Sequence, residues 1–149
     1  MKQCVTRVAF LFSAVVAVAG CTDTEFDSLY DAPTGTSTAN VITGRWGASV
    51  EGFDVRWVLT PSQVTIANRC GDTTVGATAA AEINSSTIRF FASKRSEDNN
   101  CFVDIKPGMF VRCSTDPLVP KSSCFELKDK TLIVHGATLD QITFTKLQD

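Results

Sequence analysis

The chain has 149 residues, of which 44% are hydrophobic and 20% charged, and its formal net charge is −2. The small negative charge, without any basic cluster, excludes the positively charged surface that a nucleic-acid partner requires. The chain contains one histidine, His135, at the end of a predicted strand. Because histidine is the side chain most often used as acid, base or metal ligand near neutral pH, enzymatic function is not expected, and His135 is predicted to be a surface residue.

The first twenty residues have the layout of a secretory signal. Lys2 and Arg7 precede an apolar run of about twelve residues, Val8–Ala19, which is shorter than the roughly 20 residues needed to span a bilayer. The run ends in Val18-Ala19-Gly20-Cys21, which resembles the lipobox of bacterial lipoproteins. The alternative is an ordinary signal peptide cut near Ala19.

The lipobox resemblance implies that residues 1–20 are removed and that acyl chains such as palmitate on Cys21 hold the protein to a membrane. Thr22 follows the cysteine, where members of the family that stay in the inner membrane usually have Asp, so the resemblance implies an outer-membrane location in the cell envelope. Loss of Lys2 and Arg7 changes the net charge from −2 to −4. No polybasic segment assists the anchor, so membrane contact is expected through the lipid alone.

The remaining chain divides at about residue 40. Residues 21–40 are rich in Thr, Ser, Asp and Gly and contain few residues to bury, which predicts a flexible tether. Residues 41–149 consist of short β-branched and aromatic runs separated by turn-forming residues, which is typical of an all-β domain. Ten strands are predicted: Val41–Ser49, Phe53–Thr60, Val64–Arg69, Thr73–Ile83, Thr87–Ala92, Cys101–Ile105, Met109–Cys113, Cys124–Lys128, Thr131–His135 and Gln141–Leu147.

Short connections favour antiparallel pairing of neighbouring strands, so we expect a meander that closes into a barrel of 8–10 strands. A β-sandwich is the alternative, because two stacked sheets also cover their buried faces. The segment Ala79-Ala80-Ala81 favours helix by intrinsic propensity, but its neighbours favour strand. It is interpreted as a strand whose small side chains pack against something bulky.

Gly44-Arg45-Trp46 in the first strand resembles the Gly-x-Trp signature of lipocalins and related calycin barrels, and Lys146 lies in the last strand. The resemblance implies that Trp46 plugs one end of the barrel and that Lys146 packs over its ring. It also implies a cavity for a small apolar ligand, whereas in a barrel of this size the same aromatic residues can simply fill the core. The residues concerned are Trp46, Trp57, Phe90, Phe102, Phe110 and Phe144.

Four cysteines follow Cys21 in the exported part: Cys70, Cys101, Cys113 and Cys124. An even number in an exported small domain predicts two disulfides. A zinc site is the alternative, but its ligands usually include a closely spaced cysteine pair, which is absent here. Strand ends and the proline-rich segment 114–123 favour Cys70–Cys101 and Cys113–Cys124. Pairing of Cys101 with Cys113 across the hairpin at Pro107, and of Cys70 with Cys124, is the alternative.

No catalytic, phosphate-binding or dinucleotide-binding motif is present, and no cofactor or metal is expected. The acidic segment 96–100 lacks the spacing of a calcium loop and is interpreted as a hairpin tip. We therefore expect a non-enzymatic barrel that binds a small apolar ligand, or a protein or polysaccharide of the envelope. One alternative is an interaction module with a filled core. Another is an inhibitor of an envelope-degrading enzyme, because a lipobox joined to a small disulfide-bonded barrel is similar to the periplasmic lysozyme inhibitors.

Overall fold

The computed structural model describes residues 42–137 and 140–148, and within them the chain forms eleven strands and no helix. The predicted tether and Cys21 lie outside these residues. All ten predicted strands are present, including the alanine-rich one, which is confirmed as strand. The strands are β1 (Gly44–Val50), β2 (Phe53–Leu59), β3 (Gln63–Cys70), β4 (Thr73–Asn84), β5 (Thr87–Phe90), β6 (Lys94–Asp98), β7 (Cys101–Ile105), β8 (Gly108–Arg112), β9 (Cys124–Lys128), β10 (Thr131–His135) and β11 (Gln141–Lys146).

Nine strands form a closed barrel in the order β1-β11-β10-β9-β8-β5-β4-β3-β2. The barrel closes where β11 pairs with β1 and places Lys146 opposite Trp46. Closure confirms the barrel prediction. One detail of that prediction was wrong, because β8 and β9 pair in parallel and not as part of an antiparallel meander. They run in the same direction because residues 113–123 lead the chain from the end of β8 back to the level at which β9 begins.

The core lies inside the barrel and follows the alternation of side chains along each strand. A row of buried residues crosses β1–β4 at facing positions: Trp46, Trp57, Ile66 and Ala77. Along β4 every second residue from Val75 to Ile83 is buried, whereas Ala80 and Glu82 between them are exposed. The small alanines on the inner face of β4 leave room for another element to pack there.

That element is the hairpin of β6 and β7, which forms a separate two-stranded sheet between β5 and β8 in the sequence. Both of its strands contact β4, and β7 also contacts β3. The inward side chains Cys101, Val103 and Ile105 belong to the same buried cluster as the barrel core. A disulfide from Cys101 to Cys70 fastens the hairpin to β3.

Strand β6 was not predicted, because Lys94–Asp98 contains no apolar residue and therefore shows no hydrophobic alternation. The hairpin tip contains fewer residues than the segment 96–100 that the sequence indicated. It consists of Asn99 and Asn100, whose φ angles are 47° and 66°, a region that asparagine tolerates better than most residues. Residues 96–98 continue the strand.

Candidate functional site

Trp46 is the residue that the lipocalin resemblance implied as a plug of one barrel end, with Lys146 over its ring. It is fully buried, and its indole Nε1–H donates to the carbonyl oxygen of Ile42 at 2.7 Å. The Nζ of Lys146 lies 5.4 Å from the centroid of the indole ring, within the range of a cation–π contact. The predicted packing of Lys146 over Trp46 is therefore confirmed at the level of geometry.

The proposed cavity residues mostly fill the interior. The ring of Trp57 lies 4.5 Å from that of Phe144 and 5.9 Å from that of Phe90, measured between centroids, and Phe110 packs against Phe90 at 6.3 Å. Phe144 is fully buried, and Trp57 and Phe90 are almost so. The structure thus brings these four aromatic residues together as core.

Phe102 does not join this group, and its assignment to a cavity or core was wrong. It is 46% exposed because the inward positions of β7 are taken by the residues on either side of it, Cys101 and Val103. Its outward ring is covered in part by the guanidinium of Arg95, 5.7 Å from the ring centroid.

Among the described barrel strands, β8 and β9 form the one parallel junction of the wall. Only two register pairs join them, Val111 with Cys124 and Arg112 with Phe125. Two hydrogen bonds frame this short ladder: the N–H of Val111 donates to the carbonyl of Ser123 at 3.3 Å, and the N–H of Cys113 donates to the carbonyl of Phe125 at 2.9 Å. Beyond Cys113 the chain leaves the sheet.

The chain between β8 and β9 forms a loop whose ends are joined by the disulfide Cys113–Cys124, with Cα atoms 4.9 Å apart. We call residues 113–124 the disulfide loop. Both disulfides match the pairing favoured from the sequence. Compact loops with adjacent ends are frequently functional because a rigid base presents a protruding tip.

The tip of the disulfide loop is a turn built on Asp116. Its carbonyl accepts a hydrogen bond from the N–H of Val119 at 3.1 Å, and its Oδ1 accepts one from the N–H of Leu118 at 2.9 Å. Pro117 between them restricts the backbone further. The backbone of Leu118 is consequently held in a defined position, although the residue is 87% exposed.

A groove of about 610 Å³ lies beside the disulfide loop and is lined by residues 112–117, 119–121 and 125–128. One wall is the loop, and the other is strand β9. The walls combine apolar side chains with the cations Arg112, Lys121 and Lys128. The groove therefore offers both apolar contact and charge to a bound molecule.

Glu126 of β9 ties the loop to the barrel. Its carboxylate pairs with Lys121 of the loop, with Lys128 at 3.0 Å and with His135 at 3.1 Å. Hydrogen bonds from Lys121, and next from Lys128, lower the pKa of Glu126 from 4.5 to about 2, with a smaller contribution from His135 and against the effect of burial. Glu126 is therefore ionised at any ordinary pH. His135, predicted to be a surface residue, is instead mostly buried beside it, with 12% of its side chain exposed.

Cys113, Glu126 and His135 place ligand-type atoms within 4.8 Å of one another, a spacing that could suit a metal ion. The sulfur of Cys113 is bonded to Cys124, however, so it supplies no thiolate. The carboxylate of Glu126 is already held by two ammonium groups. The donor set does not fit a metal site.

Sequence reasoning missed the side chains that shape this site, namely Leu118, Lys121 and Glu126. One signal was available, since Leu118-Val119 is an apolar pair flanked by prolines in an otherwise polar segment between two cysteines. The pairing of Lys121 with Glu126 depends on how the loop folds back on β9, which no local pattern encodes.

Comparison with known proteins gave no match to a family model, to a curated protein or to a solved structure. In the part of the chain that the structure describes, no helix has the length and apolar character needed to cross a membrane.

Proposed function

We propose that this protein is a non-enzymatic binding protein, anchored by lipid to the outer membrane, that holds a protein partner of the cell envelope through its disulfide loop. The observation that carries the proposal is the exposure of Leu118 on a loop that is restrained at its base, at its tip and along its side. Restraint of the backbone that carries an exposed apolar side chain lowers the entropic cost of binding, which is the usual basis of a preorganised recognition element.

Further exposed apolar side chains lie in the loop and in the strand that leads into it. Val119 follows Leu118 in the loop, and Met109 and Val111 share the outer face of β8, which leads into the loop. Their exposed fractions are between 43% and 50%. An apolar surface of this kind next to charged residues is typical of a protein-binding site.

The barrel interior supports ligand carriage less well. Trp57 already packs against Phe90 and Phe144, so a ligand beside it would have to displace these rings. Loss of such contacts in a close-packed core lowers the stability of the fold. We therefore favour the interaction module over the carrier of a small apolar ligand.

The membrane anchor is proposed from the sequence Val18-Ala19-Gly20-Cys21. Detergent partitioning of the protein made in its bacterial host tests it directly. We expect the natural protein in the detergent phase and the Cys21→Ala variant in the aqueous phase with altered mobility. A Cys21→Ala variant that stays membrane-bound and unchanged in mobility would remove the lipoprotein assignment.

The binding function can be tested by placing the photocrosslinker p-benzoylphenylalanine at position 118 of the full chain and irradiating cell envelopes isolated from the cells that produce it. We expect a discrete crosslinked species that disappears when purified natural protein competes, but persists when the competitor carries Leu118→Asp. The matched control has the same crosslinker at position 102, which is also exposed but lies on the β6–β7 hairpin. Equal crosslinking from both positions, or equal competition by both proteins, would contradict the proposal.

A further inference from the structure

Strand β9 has one edge against β10 along its whole length, but its other edge is only partly covered. All five residues from Cys124 to Lys128 have register partners on β10, whereas β8 pairs only with Cys124 and Phe125. The second half of β9 therefore faces the groove and not another strand.

The direction of the backbone groups follows from the last hydrogen bond of the β8–β9 ladder. The carbonyl of Phe125 points toward β8, because it accepts the N–H of Cys113. In a strand, the N–H and C=O groups of successive residues point to opposite edges, so those of Leu127 point to the same side as those of Phe125. Among the described residues, no backbone hydrogen bond from that side reaches Leu127.

The side chains around this edge favour an acidic partner. Lys121 and Lys128 share the single carboxylate of Glu126, and their side chains are 50% and 68% exposed. The other carboxylate of the groove, Asp116, already accepts the N–H of Leu118. With Arg112, three cations face two carboxylates along the groove, so positive charge exceeds negative charge, while the half-buried Leu127 supplies apolar surface on β9.

We propose that the groove binds an extended peptide segment of the partner, which adds to the open edge of β9 as an extra strand. Addition of a strand to a sheet edge provides main-chain hydrogen bonds for affinity and uses alternate side chains for specificity. Here the peptide exchanges hydrogen bonds with Leu127, and its residues alternate between apolar side chains and carboxylates that meet Lys121 and Lys128. This inference rests on the proposed function, because it identifies the chemistry of the partner that the disulfide loop holds.

The test uses isotope-labelled mature protein and the capped peptide acetyl-Thr-Glu-Val-Glu-Val-Glu-Thr-amide. Titration should shift the amide resonance of Leu127 and slow its hydrogen exchange roughly tenfold at saturation, since an open-edge N–H becomes hydrogen-bonded. Two control peptides isolate the two parts of the proposal. One has lysine in place of each glutamate, and the other carries N-methyl groups on its third and fourth residues, so that main-chain donors are lost and charge is kept. Both should bind weakly or not at all.

Matched protein variants test the charges. Lys128→Gln should weaken binding of the acidic peptide roughly two- to fivefold, as expected for one exposed ion pair. Lys106 is also exposed and lies just before β8, at the end of that strand away from the loop, so Lys106→Gln should leave the affinity unchanged. Added salt should weaken binding of the acidic peptide to the natural protein.

Binding that leaves the Leu127 amide unprotected, or lysine and glutamate peptides that bind equally, would overturn the inference. Failure here is distinguishable from failure of the proposed function. If crosslinking from position 118 succeeds while the peptide does not protect Leu127, the loop binds a partner without strand addition. If the peptide protects Leu127 and crosslinking fails, the groove inference stands and the role of Leu118 is lost.

Discussion

Two sides of the barrel are held together by different means. On one side β3 pairs with β2 through six register positions and with β4 through eight, so backbone hydrogen bonds and a row of buried side chains keep it closed. On the other side β8 and β9 share two register positions, and the junction depends on a disulfide and on the ion pairs of Glu126. The comparison indicates that the side formed by β2–β4 provides stability. The side formed by β8 and β9 has less regular pairing and presents a surface able to bind.

The largest effect on stability is expected from Trp46→Ala in β1, which belongs to the side of the barrel with regular pairing. Truncation of a fully buried tryptophan should lower the free energy of unfolding by about 3–5 kcal/mol. Chemical denaturation measures this loss. The control is Leu118→Ala at the loop tip, which should change stability by less than about 0.5 kcal/mol. A Trp46→Ala protein as stable as the natural one would mean that the β1–β4 side is not the main source of stability.

The hairpin disulfide should come next. Combined replacement Cys70→Ala and Cys101→Ala removes a link across 31 positions, which in the chain-entropy description stabilises the fold by about 4 kcal/mol. We also expect faster hydrogen exchange in β6 and β7 than in β2 and β3, since the hairpin is a separate two-stranded sheet with no strand pairing to the described barrel strands. Uniformly faster exchange across all strands would instead indicate that the hairpin does not open separately.

Removal of the loop disulfide should cost less. The link spans 11 positions, so Cys113→Ala with Cys124→Ala should lower the free energy of unfolding by about 3 kcal/mol. Hydrogen exchange in β2–β4 should keep its relative protection while crosslinking from position 118 falls. If crosslinking were retained in full, the disulfide would not be what prepares the loop for binding.

The smallest effect concerns Glu126→Gln, which removes the carboxylate that holds Lys121 and Lys128. We expect a loss of about 1 kcal/mol near neutral pH, because both lysines are largely exposed. The folded-state pKa of Glu126 is about 2, below its ordinary value of 4.5. Its contribution is therefore complete above pH 4.5 and disappears as the pH falls through about 2. Stability measured from pH 7 to pH 2 should show the two proteins converging, and a constant difference would contradict this role.

Much of the barrel side formed by β1–β4 could be predicted from sequence, because its strands follow from patterns of neighbouring residues. Phe53, Val55, Trp57 and Leu59 alternate with more polar residues, and that alternation identifies both the strand and its inner face. The disulfides were also predicted, since each cysteine stands at the end of a predicted strand. In β4 the neighbouring threonines and valine correctly outweighed the helical preference of alanine.

The candidate site could not be predicted to the same degree, because its geometry is non-local. No pattern in the sequence of β8 or β9 predicts that the two strands pair in parallel or that their pairing ends after two positions. The ion pairs of Glu126 join a loop residue to a strand residue, and the exposed face of Phe102 depends on which side of the hairpin meets β4. Such contacts follow from tertiary packing, which overrides local preference.

The pairing of β1 with β11 has a consequence for how the chain acquires its structure. Trp46 and its partner Lys146 stand almost at opposite ends of the barrel sequence, so a chain that emerges from its N-terminus cannot close until its last strand has appeared. Until then β1 has an unpaired edge, which is the kind of surface through which nascent β-proteins associate wrongly. Contacts of such long range also make folding slow, on the scale of milliseconds to seconds. Proteases and chaperones would thus meet an open sheet before the barrel closes.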